Sequence, residues 1–470
     1  MKSKLMRPTL LALLVAAGLA GCATTTPPAL ELPTPQGETA PAELGQWWQS
    51  LNDPTLNALI DEALAHNADV LIAIESVGQS RATLRQAKVA LLPDVNATLN
   101  ATRRNPSDET SQPGQGGTSN VFTGGFSVSY EIDLWGRVWK AKDAALANLL
   151  ASQYARESTR SAVAAQTARS YFALLALDAE EALLTQTLAT RDEAYTLQQK
   201  RYSAGAAGEY ELKLAEAERA SVAAALPQTV AAREKAEAAL AVLLGRSPKA
   251  VIEGHVARGN GLAVLAKAPE IPAGLPADLL TRRPDVRQAE AQLAFADASL
   301  DEAKRRYFPS LTLTGFLGGE SLELSDLFSA PARTWNIAGQ LLQPIVGMAK
   351  IDAQVDSAKA SRNQAEISYA QTARAAYGDA RSALATHRGA REALIATEAR
   401  ADAQNKVKEL ADKRYKAGVS SYLDQLNAER DRLAAERDRV SALQARLNAL
   451  VDVYQALGGG WSKEALAKAD

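Results

Sequence analysis

The sequence has little cysteine, histidine or aromatic residue, and each scarcity removes a class of protein. A single cysteine, Cys22, among 470 residues excludes an internal disulfide. The three histidines, His66, His255 and His387, lie too far apart in sequence for metal-ligand spacing. Aromatic residues make up 5% of the chain while alanine is abundant, a mix suited to thin layers of long helices and not to a large globular core. No sign of charge dominates: 52 Lys and Arg face 54 Asp and Glu. These charges are interspersed, as on solvated helix faces, and leave no basic footprint for nucleic acid. No nucleophile elbow, P-loop or zincin motif occurs. Gly114-Gln115-Gly116-Gly117 reads as loop, with neither strand before it nor helix after it. Enzymatic function is therefore not expected, nor is a cofactor. Past residue 22 no apolar run approaches the ~20 residues of a transmembrane helix.

What is present begins with a targeting segment. Lys2, Lys4 and Arg7 precede an apolar stretch from Leu10 to Ala20 that is too short to span a bilayer. It ends in Leu19-Ala20-Gly21-Cys22, a position for Cys22 that resembles a bacterial lipobox. That resemblance implies removal of residues 1–21, acylation of Cys22 and anchoring of an extended segment, 22–45, to lipid. At ~0.8 kcal/mol per buried CH₂, two or more chains are needed for stable anchoring. Ala23 follows the cysteine, and the absence of Asp there resembles lipoproteins sorted to the outer membrane.

The mature chain repeats itself. Lys200-Arg201-Tyr202-Ser203-Ala204-Gly205 returns as Lys413-Arg414-Tyr415-Lys416-Ala417-Gly418, a shift of 213. The same shift pairs Glu211 with Asp424, Ala215 with Ala428 and Glu216 with Glu429. Upstream, Ala68-Asp69-Val70 answers Pro284-Asp285-Val286, and Pro93 answers Pro309, at a shift of 216. Two copies of one unit follow, over residues 46–245 and 276–458, separated by 246–275 and followed by a tail, 459–470.

Each copy reads as helix, strand pair, long helix, turn, helix. An Ala-rich run from Asp53 to Leu91 predicts one helix ending before Pro93. Val95, Ala97, Leu99 and Ala101 then alternate with polar residues, which is the period of a strand. After a loop over 103–120 the alternation resumes with Phe126, Val128, Tyr130, Ile132 and Leu134, giving a hairpin over about 93–135. The second hairpin, about 309–344, has Leu311 and Leu313 in its first strand, a loop from Gly318 to Arg333, and a second strand from Thr334 to Leu342. These strands have the length and one-sided apolarity of transmembrane β-strands of ~9–11 residues. Lys140 to Ala204 predicts a helix of roughly 98 Å at 1.5 Å per residue, matched by Ala349 to Ala417. In the last helix Leu426, Leu433, Val440, Leu447 and Tyr454 recur every seven residues, a coiled-coil seam. Pro227 is expected to kink the corresponding helix of the first copy.

Four strands cannot close a barrel, and open edges cannot face lipid, so such a chain must share a barrel with further copies of itself. At this point Trp47-Trp48 with Asp53-Pro54, the run Leu279-Leu280-Thr281-Arg282-Arg283-Pro284-Asp285-Val286, Asp133-Leu134-Trp135-Gly136 and the paired Arg-Tyr-x-x-Gly turns are together distinctive. They resemble the TolC-like outer-membrane efflux factors, in the lipoprotein branch that includes OprM and NodT-type proteins. The resemblance implies a mostly helical fold with membrane β-structure. Three chains would form a twelve-stranded barrel continuous with a twelve-helix coiled-coil tunnel in the periplasm. It also implies partners: a periplasmic adaptor and an inner-membrane pump, of the proton-driven RND type, for export of drugs or other small molecules. A duct for type I polypeptide secretion shares the fold and stands as the alternative.

The resemblance assigns sites residue by residue. The turns Ala204-Gly205-Ala206 and Ala417-Gly418-Val419 correspond to the tips that dock on the adaptor. Glu211 and Asp424 correspond to acids that form rings at the narrowed periplasmic end, as charged rings do in cation-selective pores. Tyr415 corresponds to a residue that ties neighbouring helices in the closed state, as a candidate hydrogen-bond donor. The chain departs from the pattern at Asn427, where a second Asp is common, and at Ser420, where some members carry Arg.

Overall fold

The computed structural model describes residues 46–107, 109, 117–267 and 282–460. The targeting segment, the Cys22 anchor with residues 22–45, and most of the tail lie outside these residues, as do 268–281 of the inter-repeat stretch. Among the described residues no helix is long and apolar enough to cross a membrane.

A short 3₁₀ turn, Trp47–Leu51, leads into α1 (Pro54–His66) and α2 (Ala68–Val89). The single helix expected over this run is in fact two. Asn67 breaks it: its side-chain oxygen accepts from the backbone N–H of Asp69 (2.9 Å) and Val70 (3.3 Å), capping α2, while its amide donates to the Leu243 carbonyl (2.8 Å). Strands β1 (Asp94–Arg104) and β2 (Ser119–Ile132) precede α3 (Arg137–Ser203), a helix of 67 residues, and α4 (Glu209–Leu243). The helix α4 is continuous over its length, with Pro227 inside it. Two short helices, α5 (Pro248–Glu253) and α6 (Leu262–Leu265), fill the described inter-repeat stretch. The second copy gives α7 (Pro284–Arg305), β3 (Ser310–Ser321), β4 (Arg333–Leu342), α8 (Met348–Lys416, 69 residues) and α9 (Tyr422–Ala456). Gly318 and Gly319, expected in a loop, are strand residues paired on both sides. At 1.5 Å per residue α3 and α8 each span about 100 Å.

The four strands form one antiparallel sheet in the order β1-β2-β3-β4. The helices joined to them pack in the same order. α2 lies against α3, α3 against α7, and α7 against α8; beyond the turns α4 lies against α3 and α9 against both α3 and α8. The sheet and the helix layer are thus two lengths of one curtain, with α3 in the interior and α8 at one margin. The main core lies midway, where Tyr171 and Phe172 of α3 are fully buried with Leu56, Ile60, Leu240 and Leu447. Of the expected seam in α9, Leu426 and Leu447 are buried and Leu433, Val440 and Tyr454 half-buried. Asp53 is buried here too: it caps α1 and accepts from the Tyr171 hydroxyl (3.1 Å) and the Asn260 N–H (3.2 Å), holding the inter-repeat stretch to the helices.

Candidate functional site: the bare sheet and the hairpin tips

The sheet register sorts its side chains onto two unlike faces. Cross-strand rows join Ala97, Phe126, Leu317 and Trp335, then Val95, Val128, Gly315 and Ile337, then Ile132, Leu311 and Leu341. This face is apolar and unburied: Leu99 is 68% exposed, Leu317 67%, Trp335 71% and Ile337 78%. The other face carries Asn96, Thr98, Asn100, Ser127, Ser129, Thr312, Thr314, Asn336 and Gln340. An apolar surface of this size is unfavourable in water and stable against hydrocarbon. β1 and β4 each keep one unpaired edge. The helix layer ends likewise in unpartnered apolar groups, Leu71, Ile72 and Ile74 on α2 and Ile367, Ile395 and Leu410 on α8.

At the far end the two long helices reverse through equivalent turns. The Gly205 N–H bonds the Tyr202 carbonyl (2.9 Å) and the Ala206 N–H the Arg201 carbonyl (2.7 Å); Gly418 to Tyr415 (2.9 Å) and Val419 to Arg414 (3.0 Å) repeat the pattern. This double bond pattern needs a left-handed residue, and the two glycines have φ of 70° and 73°. Ala204, Gly205, Ala206, Ala417, Gly418 and Val419 are all exposed. Small side chains leave the backbone approachable, and Val419 offers an apolar point at 65% exposure.

The two acids singled out by the repeat occupy the same place, the third residue of the returning helix. Asp424 completes a capping box: its carboxylate accepts from the Ser421 N–H (3.0 Å) and hydroxyl (2.8 Å), and the Ser421 hydroxyl accepts from the Asp424 N–H (3.1 Å). Those bonds from Ser421, with Arg414 nearby, hold the Asp424 carboxyl below its ordinary value. Gly208 begins the first returning helix, so Glu211 has no capping side chain to answer it. Asn427 is exposed one turn beyond Asp424, and Ser420 is half-buried beside the cap.

Within the chain, Tyr415 of α8 is bonded to α3. Its hydroxyl receives Gln198 Nε2 (2.9 Å) and the Arg201 guanidinium, both from α3, and its ring lies 5.8 Å from that of Tyr422. Sequence reading missed the charge cluster behind it. Arg191 of α3, 2% exposed, pairs with Glu429 of α9 and approaches Glu218 of α4, which Arg430 also holds. Burial pushes the Glu429 carboxyl up even against the opposing Arg191 charge. Its match to Glu216 was the only visible signal, and Glu216 is an exposed partner of Lys213. Among the described residues no cluster could hold a metal ion.

Comparison with known proteins adds to this geometry. A family model described as outer membrane efflux protein matches residues 59–246 and 275–459. The antibiotic efflux pump outer membrane protein ArpC of Pseudomonas putida is 32% identical over 435 residues, 92% of this chain and 88% of the relative. The toluene efflux pump outer membrane protein TtgC of P. putida aligns with the same identity and coverage. Among solved structures, the Campylobacter jejuni CmeC outer membrane channel superposes with a TM-score of 0.85 at 28% identity, over 94% of this chain and 97% of that one. The open state of the Neisseria gonorrhoeae MtrE outer membrane channel gives 0.77 at 30% identity, over 94% and 99%.

Proposed function

The chain belongs to the TolC-like outer membrane efflux protein family, and from that premise we propose that three copies form the outer-membrane exit duct of a three-part pump. The observation that carries the reading is the bare curtain: an exposed apolar sheet face whose two open edges coincide with the two open margins of the helix layer. A head-to-tail contact between the α8–β4 margin of one copy and the α2–β1 margin of the next satisfies all of them at once. Repeated by rotation, such a contact closes a ring. Three copies give a twelve-stranded barrel with the apolar face in lipid and the amide and hydroxyl face around water, continued by a twelve-helix tunnel. Homologues named for antibiotic and toluene efflux support small-molecule cargo and not polypeptide.

In this arrangement the glycine turns meet a periplasmic adaptor, and a proton-driven RND pump of the inner membrane supplies cargo. Acylated Cys22 adds a lipid anchor; mass spectrometry of the N-terminal peptide should find residues 1–21 removed and Cys22 acylated. Resting closure falls to the tips, where Tyr415 binds α8 to α3 and Asp424, Glu211, Asn427 and Ser420 stand at the narrowed end. Planar-bilayer recording of the purified protein tests the duct and its gate together. Discrete steps are expected from the wild type. Tyr415→Phe should raise resting conductance, because the Gln198 and Arg201 donors lose their acceptor, whereas Asp424→Ala should chiefly lower cation preference. A protein that inserts but never conducts contradicts the reading.

A further inference from the structure

The wall of the sheet is thinnest where four glycines meet, Gly124 opposite Gly319 and Gly125 opposite Gly318. Apolar side chains cover this patch on each face. On the apolar face Leu327, 1% exposed, and Leu99 close over Gly124, where an added Cβ would stand 3.1 Å from Leu327 Cδ2 and 3.1 Å from Leu99 Cδ1. On the polar face the covering group is Phe316. A Cβ on Gly125 would fall 2.9 Å from its Cζ and one on Gly318 2.8 Å from it, so the ring is bedded directly on both backbones. Leu327 and Phe316 differ in one respect: Leu327 is sealed, while Phe316 remains half-buried. Among the described elements, apart from the short turn Ala330–Ala332 beside β3, no helix makes more than slight contact with the sheet.

Phe316 is also out of character with its surroundings. Its cross-strand row is Asn96, Ser127, Phe316 and Asn336, and the adjoining positions are Thr98, Thr314 and Thr334. Charged residues of this face stand only at the ends of strands: Asp94 and Arg104 bound β1, and Glu131 and Glu320 are each next to the last residue of their strand. A wall without charge along its middle does not sort solutes by sign. What it offers is one aromatic surface, fixed in place by the glycines and rimmed by neutral amides and hydroxyls. Such a surface favours flat apolar groups through offset stacking or edge contact, and the rim can hydrogen-bond a polar substituent.

We infer that Phe316, bedded on Gly125 and Gly318, is a cargo-contact site on the inner wall of the barrel for the planar aromatic part of uncharged small molecules. This rests on the duct reading, in which the polar face lines the passage. Equilibrium dialysis of 1-naphthol against the full-length protein in amphipol, with bare amphipol subtracted, tests it. Wild type and Phe316→Tyr should bind alike, and Phe316→Leu, which keeps an apolar cover over the glycines, should bind about tenfold more weakly. Equal binding by Phe316→Leu, or no saturable binding by wild type, overturns the site. Bilayer steps recorded from the same three preparations keep the two claims apart. Conduction with no ring-dependent binding removes the site and leaves the duct; absence of conduction removes the duct.

Discussion

The two hairpin tips have the same backbone and different anchorage. Both reverse at a glycine with φ near 70°, through the same pair of hydrogen bonds, 213 residues apart. The second tip is fastened: Ser421 and Asp424 cap α9, while Tyr415 and Glu429 are bound by Gln198, Arg201 and Arg191 of α3. The first tip has a glycine where the second has its cap, and Glu216, the counterpart of Glu429, lies in solvent beside Lys213. Duplication preserved what turns the chain, and divergence of a few side chains made one hairpin the holder and the other the held.

The largest effect is expected from removing the holder. Arg191→Leu leaves Glu429 buried without its countercharge, a loss of about 3–5 kcal/mol. Hydrogen exchange along residues 415–430 should accelerate strongly, with the sheet and the central core unchanged. Gly418→Val comes next, because a left-handed conformation costs a side-chain-bearing residue roughly 1–2 kcal/mol and the added bulk obstructs the tip. Drug accumulation should rise to the level of a strain lacking the protein while membrane-bound oligomer persists; wild-type export would remove Gly418 from the docking surface. Exchanging the caps sharpens the contrast further. Ser421→Ala should cost about 1 kcal/mol in protection of the first turn of α9, and Gly208→Ser should gain a few tenths in α4 by completing a box with Glu211.

The smallest effect is set by pH. The Asp424 carboxyl is held below its ordinary value of 3.8, so its contribution is fully present above pH ~4 and is lost as pH falls through the lower folded value. Protection of the first turn of α9, corrected for intrinsic exchange, should therefore hold from pH 5 down to about pH 4 and fall below that in the wild type, and not in Asp424→Asn.

Much of this plan was legible in the sequence because its signals are local or repeated. Period-two alternation from Val95 onward, the uninterrupted long helices and the glycine turns each act over a few residues, and duplication doubled every signal. Misreadings came where a distant contact overrode the local one. Asn67 lies in an Ala-rich run, yet its amide reaches Leu243, 176 residues away, as its oxygen starts a new helix. Gly318 and Gly319 looked like loop because glycine lacks β propensity; in the sheet they face Gly125 and Gly124, and a side chain on Gly318 would collide with the neighbouring strand, one on Gly319 with the Leu327 carbonyl. The Arg191–Glu429 pair joins residues 238 apart, and the match of Glu429 to Glu216 said nothing of its partner.

The central claim is that one chain supplies only part of a closed wall. Native mass measurement of the detergent-solubilised protein tests this most directly. The account predicts a single species of three copies and no folded monomer at any dilution that preserves secondary structure. A monodisperse folded monomer, its sheet intact with both edges unpaired, would contradict it.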